Sequence, residues 1–141
     1  MFCSHTIADR LPHPTAPRPY LPRYASNLVW GGAALTLFAA TVLQVQNHGG
    51  GWLALGFAFM PDLGLLAGAA RGLEKGQMAP RAVPLYNALH RFAGPVAMAA
   101  LVVAGILPQV WLSAALAWSL HISIDRAAGY GLRGSDGFQR S

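Results

Sequence analysis

Two long stretches of this chain carry no charge: no Asp, Glu, Lys or Arg falls within residues 24–61 or 92–124. A water-facing surface cannot be built from such stretches. Charged residues make up 11% of the sequence, against about 25% in ordinary soluble domains, and 54% of residues are hydrophobic. A chain of 141 residues is too short to hide that much apolar area in one core, because much of a small domain's surface stays exposed. A lipid bilayer removes the difficulty. The composition therefore predicts an integral membrane protein whose main partner is lipid.

The expected fold is all-α, a bundle of four transmembrane helices with short turns and antiparallel neighbours, spanning about residues 28–45, 52–70, 83–107 and 110–130. At 1.5 Å per residue even the first span just crosses a hydrocarbon core of ~30 Å. Pro95 falls inside the third span, where neighbouring helices are expected to satisfy the freed carbonyl. The runs are rich in Ala, Leu and Gly and lack period-two alternation, which argues against strands. Residues 24–141 form the transmembrane domain. Ahead of it, residues 1–23 are a lead punctuated by Pro12, Pro14, Pro17, Pro19 and Pro22, expected to be disordered, with no pattern of a cleaved signal peptide.

The net charge is +5, and nine of the ten Lys and Arg residues fall in three places. Arg10, Arg18 and Arg23 precede the first span, Arg71, Lys75 and Arg81 lie in the middle connection, and Arg126, Arg133 and Arg140 follow the fourth. The other two turns are uncharged. Positive charge stays inside, so both termini and the middle loop are expected in the cytoplasm of a bacterial inner membrane. No aromatic–basic interleaving accompanies these residues, so no nucleic-acid partner is expected, whereas a homo-oligomer is compatible with so small a bundle. Cys3 is the single cysteine, which excludes an intramolecular disulfide and a cysteine metal motif.

Ionisable residues inside a span are costly, about 2.5 kcal/mol or more for an Asp at mid-depth, and so mark function. Four stand out: Asp62, His90, His121 and Asp125. Asp62 lies nine residues before Arg71, His90 nine after Arg81, and His121 nine before Tyr130. Each is then about 13 Å from the cytoplasmic end of its helix. Three helices thus deliver acids and imidazoles to one level. His121 and Asp125 share a face at i, i+4, and Tyr86, Asn87 and His90 share another, continued by Gly94.

Two readings are compatible with that spacing. One is a divalent metal, zinc, iron or manganese, held by Asp62, His90, His121 and Asp125. Tyr86, Asn87, Arg126 and Tyr130 would then support the ligands or touch substrate. The metal would activate water to hydrolyse an amphipathic or lipid-linked substrate. The other is a satisfied polar network that fixes helix register, or conducts protons or small solutes, in a protein that is not an enzyme. A haem between His90 and His121 is a third, weaker fit. Trp30, Trp52 and Trp111 fall near span ends, as interfacial anchors do. Gly64-x-x-x-Gly68 has the form of a helix-packing motif, on the face away from Asp62.

Five blocks occur in order: Pro61-Asp62; Leu85-Tyr86-Asn87-x-x-His90; His121-Ile-Ser-Ile-Asp125-Arg126; Gly129-Tyr130-Gly131-Leu132-Arg133; and Asp136-Gly-Phe138. Together they resemble the small bacterial membrane proteins grouped as domain of unknown function 4260. The resemblance covers nearly all of the chain beyond the proline-rich lead. It implies a membrane-embedded four-helix protein and brings no established activity. The chain departs from the family pattern at two points. Arg23-Tyr-Ala-Ser-Asn27 stands where relatives often have an Arg-Leu-Glu-like block, and Gln139-Arg140-Ser141 where they often continue into a Thr-His-Leu-Gly-like ending. If relatives draw a ligand from either place, this chain is expected to bind the metal or substrate differently or not at all.

Overall fold

A computed structural model describes residues 23–140. The lead expected to be disordered therefore lies, apart from Arg23, outside the described residues. The fold is all-helical, and no strand occurs among the described residues beyond one isolated antiparallel bridge between Arg133 and Gln139.

The helices are α1 (Arg23–His48), α2 (Gly51–Phe59), α3 (Leu63–Ala67), α4 (Val83–Leu89), α5 (Ala93–Val103) and α6 (Trp111–Ala127). They form four rods. α1 and α6 are continuous. The second rod is α2 and α3 joined by a 3-10 turn at Met60–Asp62, and the third is α4 and α5 with a break at residues 90–92. Among the described residues, α1 alone is long and apolar enough by itself to cross a membrane.

Sequence periodicity anticipates the rods but not their interruptions. Pro61 has no backbone N–H to offer residue 57, so the ladder tightens to 3-10 pairing there. The third rod breaks at His90 rather than at Pro95. Pro95 sits in the first turn of α5, where a missing donor costs little, and the carbonyls before it are the ones released.

α6 is the central element, packed against α1, α2 and α5. Its buried positions are Ser113, Ala114, Ala115, Ala117, Ile122 and Ser123, mostly small residues that let three neighbours approach. At one end of the bundle, Gln44 Nε2 donates to the Gln109 carbonyl (2.9 Å) and Ser113 Oγ to the Gly49 carbonyl (2.9 Å). No charged residue lies in this turn region. The opposite end carries the loop at residues 68–79 and a hairpin at residues 131–140. Large apolar side chains face outward on several rods: Leu28, Leu35 and Phe38 on α1, Trp52 and Leu55 on α2, Leu66 on α3, and Val96 and Val103 on α5.

Candidate metal centre

The interruptions position two of the four candidate ligands. Asp62 is the last residue of the 3-10 turn, and His90 is the cap where α4 stops. His121 and Asp125 come from the unbroken α6, one turn apart. Broken helices whose irregular backbone faces an internal site are a recurrent way of building ion and substrate sites at membrane depth.

All four side chains meet. His90 Nε2 is 3.2 Å from Asp125 Oδ2, and His121 Nε2 is 3.5 Å from the same oxygen. The two Nε2 atoms are 3.4 Å apart, and Asp62 Oδ1 is 3.7 Å from His121 Nε2. Donor atoms of Asp62, His90 and His121 all fall within 4.8 Å of one another. Bonds of 2.0–2.1 Å to a tetrahedral ion place its ligands about 3.3–3.4 Å apart, the edge of the tetrahedron. The four separations are of that order, with Asp62, His90 and His121 forming the mutually close group and Asp125 set against the two imidazoles beside it. A haem does not fit: the histidine rings meet edge to face with centroids 5.4 Å apart, leaving no slot for a macrocycle.

Hydrogen bonding selects the tautomer of His90. Its Nδ1 lies 2.9 Å from the Tyr86 carbonyl, which can only accept, so Nδ1 carries the proton and Nε2 presents a lone pair to the cluster. That lone pair faces a carboxylate oxygen, and two acceptors at such a distance require a cation between them, whether a proton or a metal. Two carboxylates balance one divalent ion and leave no net charge to bury.

Exposure is graded across the centre. The side chains of His90 and His121 are 4% and 10% exposed, Asp125 22% and Asp62 47%. The centre is closed by α4 and α6 and open beside Asp62.

The surrounding residues divide. The Tyr86 ring stacks on His90 with centroids 3.9 Å apart, and Tyr86 itself packs against Gly64, where an added Cβ would lie 3.2 Å from the Tyr86 Cα. Gly64 therefore bears on the centre through Tyr86, although its helix face points away from Asp62. Asn87 turns from the cluster and bonds the backbone of Arg133. Tyr130 is exposed and meets the centre only through its backbone N–H, which donates to the Asp125 carbonyl (2.8 Å). Arg126 lies beside Gly131, at the foot of the hairpin.

Trp118 is a supporting residue that the sequence did not mark. Its Nε1 donates to the Leu89 carbonyl (2.7 Å), which the break after α4 leaves without a helical partner, and its ring packs directly on Gly94. Gly94 thus admits an indole ring rather than a neighbouring backbone. Trp30 and Trp111 are also engaged inside the fold, Trp30 stacked on Phe92 and Trp111 edge-on to Phe57, whereas Trp52 is exposed.

No curated protein and no solved structure matches this chain. The sequence pattern of one family, Domain of unknown function (DUF4260), matches residues 31–141, a stretch that includes every candidate ligand and the hairpin behind them. With most of its length matched, the chain belongs to the domain of unknown function 4260 family.

Proposed function

We propose that this chain is a four-span membrane protein that holds a divalent transition metal, with zinc, iron and manganese as the candidates, in an Asp62–His90–His121–Asp125 centre, and that the centre hydrolyses an amphipathic substrate reaching it from the cytoplasmic leaflet. The observation that carries the metal is the group of Asp62, His90 and His121, whose donor atoms all lie within 4.8 Å of one another, with Asp125 Oδ2 3.2 and 3.5 Å from the two imidazoles. When bound, such a metal would supply an activated water at neutral pH at a coordination position that the protein leaves open, as three ligands with Asp125 orienting the imidazoles would. His90 and His121 hold it from the buried side. Asp125 sits between the two imidazoles, and Asp62 borders the open side by which water and substrate approach.

Support for the membrane setting comes from the outward-facing apolar side chains on several rods, the small-residue packing of α6, and the segregation of charge to one end of the bundle. The positive-inside rule assigns that end, with both termini, to the cytoplasm of a bacterial inner membrane.

Metal analysis of protein purified in detergent without chelators tests the centre. We expect close to one metal per wild-type chain and less than a tenth of that in His90→Ala and His121→Ala. A wild type with no transition metal, still stabilised by the same histidines, would mean that the cluster is a hydrogen-bonded network, structural or proton-conducting.

A further inference from the structure

The hairpin at residues 131–140 is fastened to α4 by a contact that no ligand requires. Asn87 Nδ2 donates to the Arg133 carbonyl (2.9 Å), while Asn87 Oδ1 accepts from the Arg133 N–H (2.8 Å). A carboxamide used this way imitates a strand neighbour and fixes the hairpin at two points. The Arg133 side chain then folds back. Its Nη1 donates to the carbonyls of Gly76 (2.9 Å) and Gly137 (2.8 Å), and Cζ stands 5.2 Å from the centroid of the Tyr86 ring, a cation–π distance. Arg133 Nε is buried without a partner, so this placement is held against a local cost. Gly137 completes the joint. Its φ of +89° suits glycine, a Cβ there would run into the Met78 carbonyl, and its own carbonyl accepts from the Met78 N–H (3.0 Å).

α4 has only 7 residues, too few to hold an orientation by its own hydrogen bonds. Its heading is set from outside, by Gly64 against Tyr86 on one side and by the hairpin on another. Its last turn is the part that aims His90. The Tyr86 ring stacks on the imidazole, and the Tyr86 carbonyl holds Nδ1.

We infer that Asn87 and Arg133 are positioning residues for the metal centre, acting through Tyr86 on His90, so that hairpin docking and metal binding favour each other. This rests on the metal reading of the cluster. Coupling of this kind is reciprocal: whatever factor the docked hairpin adds to metal affinity, the metal must add to docking.

The test uses the full chain in detergent micelles and zinc as the probe. Zinc affinity is measured by competition with a chromogenic chelator in wild type, Asn87→Ala and Gln44→Ala. Gln44 makes a comparable buried side-chain to backbone bond at the far end of the bundle, so it reports general loosening. We expect Asn87→Ala to bind zinc roughly 10–100-fold more weakly, the usual effect of removing an orienting partner, and Gln44→Ala to match wild type. In a second measurement, zinc should slow tryptic cleavage within residues 126–140 of wild type and have no such effect in His90→Ala. This arm needs no Asn87 variant to fold. Equal zinc affinity in wild type and Asn87→Ala, with no zinc-dependent protection of the hairpin, overturns the coupling and leaves the centre standing. A wild type that binds no zinc removes both.

Discussion

His90 sits where a helix ends, and the ending governs its chemistry. Because α4 stops there, the Tyr86 carbonyl accepts both the His90 N–H (3.0 Å) and the His90 Nδ1 proton, and the ring is held with Nε2 toward Asp125. The Leu89 carbonyl is released by the same break and taken by Trp118. Gly94 is the position where this arrangement tolerates least. Alanine is favoured over glycine inside a helix by about 1 kcal/mol, but the new Cβ would strike the Trp118 ring. Overpacking costs about 1–3 kcal/mol, and a lost bond to a buried carbonyl adds about 1 kcal/mol or more. The clash therefore wins, and Gly94→Ala should lower the melting temperature and shift Trp118 fluorescence to the red. An unchanged melt with an unchanged spectrum would contradict this packing. The four residues that cluster were legible in the sequence because an ionisable group in an apolar run is rare. Asn87 was marked with them by its place on the His90 face, but its partner was not, since a carboxamide says nothing of what it bonds and Arg133 is 46 positions away. Trp118 was hidden because an indole in a greasy helix resembles any other large apolar side chain.

The two interrupted rods explain why an all-helical fold could be read from the sequence and the site geometry could not. Hydropathy sees residues 51–67 as one apolar run. It cannot see that three of them turn more tightly. A 3-10 turn advances about 120° per residue against about 100° in an α-helix, so three residues rotate the rest of the rod by about 60°. Asp62 is aimed at His121 by that rotation. Pro61→Ala allows the turn to relax to α geometry and should swing Asp62 out of the cluster. We expect metal affinity to fall as far as it does in Asp62→Ala, with the protein still folded by circular dichroism. Wild-type affinity in Pro61→Ala would show that the turn persists without its proline. Tyr86 separates two contributions of α4. Tyr86→Phe keeps the stack on His90 and should bind zinc within about threefold of wild type, whereas Tyr86→Ala should weaken binding by tenfold or more.

Across the whole molecule, charge and contact divide the bundle into two ends. The end built from residues 44–52 and 104–113 is uncharged and sealed by Gln44 and Ser113. The other holds the middle loop, the hairpin and the Asp/His cluster. The proposed topology is tested by single cysteines introduced in a Cys3→Ser background. In intact cells Asn47→Cys should react with an impermeant maleimide, while Lys75→Cys and Ser135→Cys should react only after permeabilisation. Labelling of all three from outside would remove the four-span arrangement. The all-helical class and the convergence of three rods at one depth could be read from composition and spacing. The docked hairpin could not, because the Asn87 carboxamide that fastens it to α4 bonds the backbone of Arg133, and backbone atoms are the same in every sequence.

The uncharged turns have a consequence for how the protein is made. A short turn without charge is cheap to carry across a bilayer, so α1 with α2–α3, and α4–α5 with α6, suit insertion as two successive helical hairpins. Asp62 arrives with the first hairpin, and His90, His121 and Asp125 arrive with the second. In the proposed topology the first half would thus stand in the bilayer with an exposed acid and none of the imidazoles of the cluster to meet it. On that topology the cluster would form only once the two halves meet, which places its completion late in the making of the protein.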